Sequence, residues 1–172
     1  DGGVLIVGNS DSGISGSKTT ASYGSNDYWI IKLNSDGTEE WQRSYGGSYS
    51  DVLVSVVQCD DGGYLLGGYS NSLVSGVKTE SRIGLNDYWV IKIDATGNIQ
   101  WQNTIGGSGN DELTNLVYTS DNGFLLLGKS YSSYSGDKTE NAHFASYDYW
   151  IVKLNSTGSI TWQNTIGGSA ED

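Results

Sequence analysis

Apolar positions along the chain come in short runs, bounded by clusters of Gly, Asn, Asp, Ser and Thr. No segment sustains a 3.6-residue period, so the pattern predicts strands rather than helices. The stretch 111–169 shows the unit most completely. Leu113–Tyr118 is mostly apolar and predicts a buried strand, A. Ser120-Asp121-Asn122-Gly123 follows, with Asp60-Asp61-Gly62-Gly63 in its place one unit earlier; both predict a tight hairpin turn. Phe124–Leu127 predicts strand B. A long polar loop runs from Ser130 to about Tyr147. Tyr149–Asn155 predicts strand C, Thr157-Gly158 a turn, and Ile160–Ile166 strand D. Strand C also shows a strand period two units back in the chain. Trp29, Ile31 and Leu33 share one face, and Tyr28, Ile30 and Lys32 the other. Both faces begin apolar, so both are predicted to be covered.

The unit occurs three times. Asp27-Tyr28-Trp29 recurs as Asp87-Tyr88-Trp89 and Asp148-Tyr149-Trp150, at spacings of 60 and 61 residues. Trp41-Gln42 recurs as Trp101-Gln102 and Trp162-Gln163. Gly46-Gly47-Ser48 recurs as Gly106-Gly107-Ser108 and Gly167-Gly168-Ser169. Ser15-Gly16-x-Lys18-Thr19 recurs at 75–79 and 135–139. Residues 1–172 thus read as one repeat domain, with repeats 1–60, 61–120 and an incomplete 121–172. The fold class is all-β: a four-stranded antiparallel sheet per repeat of about 60 residues, the pattern of a β-propeller blade. Stacking as a solenoid is the alternative. Gly2-Gly3-Val4 matches Gly62-Gly63-Tyr64, so the first repeat starts at strand B, and eleven strands are expected. A propeller closes with about four to eight blades. Three repeats therefore imply either an excerpt of a longer propeller or closure with other copies.

Composition narrows the functions. The chain has 25 Gly, 6 Trp, one Cys and neither Pro nor Met. Usage of roughly 5 % would give about eight or nine prolines. Twenty acidic against nine basic residues give a net charge of −11, which argues against nucleic acid as a partner. No run of 18 apolar residues occurs, so no membrane insertion is expected. A single cysteine rules out an internal disulfide framework or a Cys-rich zinc site. No nucleophile elbow, phosphate-binding loop or zinc-protease motif is present.

The run Asp-x-Trp-Ile/Val-Ile/Val-Lys, then Trp-Gln-x-x-x-Gly-Gly-Ser-x-x-Asp, then Asp-Gly-Gly-Tyr-Leu-Leu-Gly-Gly resembles the bacterial β-propeller repeat family called SBBP. The resemblance covers essentially the whole chain. It is closest to the version in secreted and surface proteins of gliding and related bacteria, which implies an extracellular or cell-surface location and export by type IX secretion. The motifs specify the repeat and no activity.

In such a blade the B–C and D–A loops emerge together, and scaffolded loops commonly carry binding. Lys18, Lys78 and Lys138 repeat at one loop position. Tyr23, Ile83 and Phe144 lie nearby in varied form, and Arg82 and His143 are each unique to their loop. One reading is a ring of cations with apolar companions, offered to an acidic glycan or a protein partner. The other ties each Lys within its own blade. Asp51, Asp111 and Asp172 follow the Gly-Gly-Ser turn and are read as accepting N–H bonds from the B–C loop. Calcium is a weaker alternative there, and no other cofactor is expected. Asp27, Asp87 and Asp148 are read as loop caps rather than a glycosidase pair. The six recurrent Trp are read as core between blades, with a sugar-stacking platform as the alternative. Cys59, in the place of Thr119, is read as a small buried thiol. The function expected is a non-catalytic binding or adhesion module. The alternatives are an architectural spacer and a polysaccharide-active enzyme, and further repeats or other copies are the other partners.

Overall fold

The structure is a computed structural model that describes residues 2–143 and 146–170. Eleven strands form in chain order: β1 (Val4–Ser10), β2 (Asp27–Leu33), β3 (Glu39–Tyr45), β4 (Asp51–Gln58), β5 (Tyr64–Ser70), β6 (Asp87–Ile93), β7 (Ile99–Ile105), β8 (Asp111–Tyr118), β9 (Phe124–Ser130), β10 (Asp148–Leu154) and β11 (Ile160–Ile166). They pair antiparallel into three meander sheets, β1-β2-β3, β4-β5-β6-β7 and β8-β9-β10-β11. The fold is all-β, in tandem repeat sheets of three or four strands, and no helix occurs among the described residues. The expected strand B is longer than its apolar run, because polar Lys129 and Ser130 pair with Tyr149 and Asp148.

The turns follow from residue type. Gly37, Gly62, Gly97 and Gly158 adopt positive φ at the hairpin tips. In the third repeat Asn122 takes that role, with φ 60°, as Asn tolerates the left-handed region better than most residues. Asp36, Asp61, Asp94 and Asp121 each fold back to accept an N–H two residues on, the Asx-turn habit of such residues.

The period-2 alternation of β6 builds two cores. Tyr88 and Val90 face β8–β11, packing with Leu113, Phe124, Leu126, Trp150 and Val152. Trp89, Ile91 and Ile93 face β1–β3, packing with Tyr28, Ile30, Trp41 and Tyr45. All seven residues of β6 are buried. The two joints use equivalent aromatics: Tyr28 stacks on Trp89 and Tyr88 on Trp150, each with ring centroids 5.0 Å apart. Trp41, Trp89 and Trp150 are buried, Trp29 and Trp101 half-buried, and Trp162 exposed.

The recurrent glutamine after each second Trp holds three parts together. Gln102 Oε1 accepts from Trp89 Nε1 at 3.1 Å and from the Thr79 N–H at 3.3 Å, while its Nε2 donates to the Val77 carbonyl at 2.8 Å. Gln42 does the same for Trp29, Thr19 and Ser17. Gln163 does it for Trp150, Thr139 and Asp137. The last strand of each sheet is thereby tied to the strand beside it and to the long loop above.

Two outcomes test this frame by urea denaturation. Gln102→Leu removes the partner of the Trp89 indole N–H and of the half-buried Val77 carbonyl, leaves the exposed Thr79 N–H to water, and is expected to cost about 2 kcal/mol. Gly68→Ala puts a β-carbon 1.8 Å from the Val52 carbonyl oxygen and is expected to cost about 2 kcal/mol or more, whereas the equivalent Gly8→Ala meets nothing within 4 Å and should change stability by less than about 0.5 kcal/mol.

Candidate functional site

The long loops 11–26 and 71–86, the described part of the third (131–143 and 146–147) and the short connections 46–50 and 106–110 gather at one end of the sheets. Each Ser-Gly-x-Lys segment is a closed turn. Ser75 and Lys78 exchange backbone hydrogen bonds at 3.2 and 2.9 Å, as do Ser15 with Lys18 and Ser135 with Lys138. The turn then grips the short connection from the preceding repeat. Ser75 Oγ accepts from the Ser48 N–H at 2.8 Å, Ser72 Oγ from the Tyr49 N–H at 3.0 Å, and the Val77 N–H donates to the Gly46 carbonyl. Ser135, Ser132 and Asp137 repeat this on Ser108, Gly109 and Gly106.

The reading of the lysines as an exposed cation ring is corrected by this geometry. Lys18, Lys78 and Lys138 are all buried. Lys18 Nζ donates to the Ser12 and Thr20 carbonyls at 2.8 and 3.0 Å, Lys78 Nζ to Thr104 Oγ1, and Lys138 Nζ to Ser130 Oγ at 2.9 Å. Each ammonium also lies over a ring of its own sheet, Trp29, Trp89 or Trp150, at 4.8–5.8 Å, where the π-face attracts a cation. The cations are spent inside the repeat.

A buried Asp–Ser–Asp row crosses the start of each four-stranded sheet. Asp51 pairs with Ser70 and Ser70 with Asp87; Asp111, Ser130 and Asp148 repeat the row. Asp51 Oδ2 accepts from the Gly47 N–H at 2.7 Å and from Ser72 Oγ at 3.1 Å. The backbone donor therefore comes from the Asp's own connection, and the long loop supplies only a hydroxyl, which corrects the expected N–H source. Asp111 matches it through Gly107 and Ser132, and Asp172 lies outside the described residues. Asp27, Asp87 and Asp148 cap the long loops by accepting from the N–H of Tyr23, Ile83 and His143. These bonds place His143 at the position of Tyr23 and Ile83; the expectation for Phe144 falls outside the described residues. A β-carbon at Gly46, Gly106 or Gly167 would lie under 2 Å from the capping carboxylate, so the first glycine of each pair makes room for that Asp.

Burial pushes Asp87 up to about 6, against backbone hydrogen bonds from Ile83 and Gly84 that lower it. Burial likewise raises Asp51 and Asp111. Burial lowers Lys78 to about 8, although Asp51, Asp87 and Glu80 pull the other way. As to calcium, no group of three or more His, Cys, Asp or Glu placed to hold a metal occurs among the described residues.

Of the candidate loop residues, Tyr23 and Ile83 are partly exposed and lean on the next repeat's turn, against Gly76 and Gly136. His143 is exposed, its Nδ1 3.4 Å from Asp148 Oδ2. Arg82 stands apart: its Nη1 donates to the Gly84 carbonyl at 2.7 Å, and it lines an open pocket of about 420 Å³ with Tyr49, Asn71, Leu85, Asn86 and Asn110. None of the other five was singled out by sequence reasoning. Apart from Asn86, which recurs as Asn26, their signal is non-repetition. Arg82 stands where the first repeat has Ser22, Asn71 where the others have Asp11 and Tyr131, and Leu85 where the first has Ser25. In the third repeat the matching corner is filled by Tyr131 stacked edge-on against Tyr147, with Lys129 4.4 Å over the latter ring.

Among the described residues, nine exposed large apolar side chains ring this end: Ile14, Tyr23, Tyr49, Leu73, Val74, Ile83, Leu85, Tyr131 and Tyr134. At the opposite end a pocket of about 370 Å³ beside Cys59, Tyr118 and Phe124 has its Asp61 carboxylate already paired with Lys92 at 2.8 Å. Comparison of the chain with protein-family models and with curated proteins finds no match.

The raised Asp87 fixes a sign. A carboxyl whose folded pKa exceeds its unfolded value stabilises the fold while protonated, and that contribution is lost as pH rises from about 4 through about 6. Asp87→Asn should therefore gain stability relative to wild type between pH 4 and pH 7.5, by on the order of 2 kcal/mol. Thermal melts of both proteins across that range check it, and a pH-independent difference would refute it.

Proposed function

We propose that the protein is a non-catalytic binding module whose sheets are blades of a β-propeller, and that it takes a glycan in the pocket of Tyr49, Asn71, Arg82, Leu85, Asn86 and Asn110. The carrying observation is the chemistry of that pocket. Tyr49 and Leu85 offer apolar surface to the C–H faces of a sugar ring. Three amides and a guanidinium offer paired donors and acceptors to hydroxyls, and Arg82 favours an acidic substituent. The pocket sits on loops clamped to rigid sheets, as binding sites commonly do. The blade reading is supported by the meander order, the tandem repetition and the two inter-sheet cores. The extracellular or surface location follows from the resemblance to SBBP repeats and is part of the same proposal.

A protein partner is the second reading. The exposed ring of Ile14, Leu73, Val74, Leu85 and Tyr134 favours it, because Tyr- and Asn-rich loops with aliphatic tips resemble the paratopes of binding proteins.

A glycan array followed by calorimetric titration tests the first reading. Saturable binding of at least one oligosaccharide is expected, weakened tenfold or more, about 1.4 kcal/mol, in both Arg82→Ala and Tyr49→Ala. Binding indifferent to both substitutions removes the pocket from consideration. Saturable capture of a protein lost in Leu73→Asp, with no glycan retained, shifts the assignment to the second reading, and no ligand of either kind leaves an architectural spacer.

A further inference from the structure

The two joints between sheets are built from the same parts. In the first, the Tyr28 hydroxyl donates to the Trp89 carbonyl at 3.0 Å, Trp41 Nε1 to the Ala95 carbonyl at 3.1 Å, and the Val77 N–H to the Gly46 carbonyl at 3.0 Å. In the second, the Tyr88 hydroxyl donates to the Trp150 carbonyl at 3.1 Å, the Trp101 ring covers Gly158, and the Asp137 N–H donates to the Gly106 carbonyl at 2.8 Å. Each time the earlier repeat supplies projecting aromatics, and the later repeat supplies glycines that leave room for them. A β-carbon at Gly68 or Gly128 would strike the Tyr28 or Tyr88 hydroxyl. At Gly97 or Gly158 it would strike the Trp41 or Trp101 ring. At Gly76 or Gly136 it would strike the Gly46 or Gly106 carbonyl.

The outer faces carry the two halves of this joint. On β8–β11, Tyr149 is 55 % exposed, although its counterparts Tyr28 and Tyr88 are fully buried. Trp162 is 49 % exposed, against 8 % for Trp41. Ile166 is exposed where Ile105 is buried. On β1–β3, Gly8, Gly16 and Gly37 correspond to Gly68, Gly76 and Gly97, yet nothing lies within 4 Å of where their β-carbons would stand. Trp29 is half-buried where Trp89 and Trp150 are fully covered. Knobs stand free at one end and matching sockets at the other.

We propose that the outer face of β8–β11 docks onto the outer face of β1–β3 of a second copy of this chain, repeating between molecules the aromatic-on-glycine part of the internal joint; the contacts that β4 and β8 add to the internal joints have no counterpart in β1–β3. Tyr149 reaches the Trp29 carbonyl past Gly8, Trp162 closes over Gly37, and the turn at Gly16 takes the Gly167 carbonyl. A second copy is the occupant because it carries Tyr, Trp and Gly-Gly-Ser at the spacing the sockets require. The contact is head to tail, so it adds copies until a ring closes or a filament grows. It stands independently of any ligand at the loop end.

Light scattering and sedimentation of the 172-residue chain across the micromolar range test it, with circular dichroism as the check on folding. Wild type should rise with concentration to at least twice the mass of one chain. Gly8→Leu blocks the socket, and the double substitution Tyr149→Ser with Trp162→Ser removes the knobs; both change sites that are open in the single chain, and each variant alone should stay at single-chain mass. Mixed together they should form a one-to-one dimer and nothing larger, since one intact knob face meets one intact socket. Tyr149→Phe, which keeps the ring, should weaken wild-type association several-fold. A wild type that remains at single-chain mass throughout overturns the proposal. So does a mixture of the two variants that fails to pair while wild type associates.

Discussion

Everything in this fold hangs on one side-chain amide per repeat. The glutamine that follows the second recurrent Trp satisfies an indole N–H, a loop N–H and a loop carbonyl at once. A Gln has two acceptor lone pairs and two donors, and here three of those four capacities join separate segments. The indole is held so that its face receives the buried lysine. The loop is held so that its Ser-Gly turn meets the preceding repeat. Without that amide the Trp N–H and the loop carbonyl would lose their partner in a part-buried setting, a heavier loss than the bonds' net worth, while the Thr N–H of the second and third repeats would turn to water. A chain with only 36 % hydrophobic residues relies on such polar ties to specify which sheet lies against which.

The buried charges show the cost of that specification. Each four-stranded sheet encloses two aspartates and one lysine near the loop end, and four of the described carboxylates keep one oxygen without a hydrogen-bond partner. Burying ionised groups in this way gives little net stability. It does fix geometry: the carboxylates cap loops that have no secondary structure of their own, and their glycine neighbours cannot be replaced without collision. The net charge of −11 therefore understates the internal order of the acidic residues, several of which are framework rather than surface.

Much of the architecture was legible because repetition marks it. The Asp-Tyr-Trp, Trp-Gln and Gly-Gly-Ser landmarks located eleven strands and their antiparallel order, since each lies at a strand start, in a strand or at a connection. The sequence left the lysines between two readings, a cation ring and a tie within the blade. Whether Lys78 points to solvent or beneath Trp89 depends on Thr104, a residue 26 positions away that only the folded sheet brings near. The pocket was missed for the opposite reason. Asn71, Leu85 and Asn110 belong to no motif, and attention to what recurs passes over the places where one repeat departs from its neighbours. The insertion that separates His143 from Asp148 likewise hid which residue occupies the capped position, and only the hydrogen bond to Asp148 resolves it.

The all-buried central strand has a consequence for how the molecule opens. Sheet β4–β7 is gripped on both faces, whereas β1–β3 and β8–β11 are gripped on one, and stability in such arrays is close to a sum over neighbouring contacts. Amide protons of β6 exchange only when both joints release, so they report the cooperative unfolding of the whole. Those of β1 and β11 exchange through fraying of a single sheet. The molecule is in this sense a layered solid that erodes from its two outer surfaces inward.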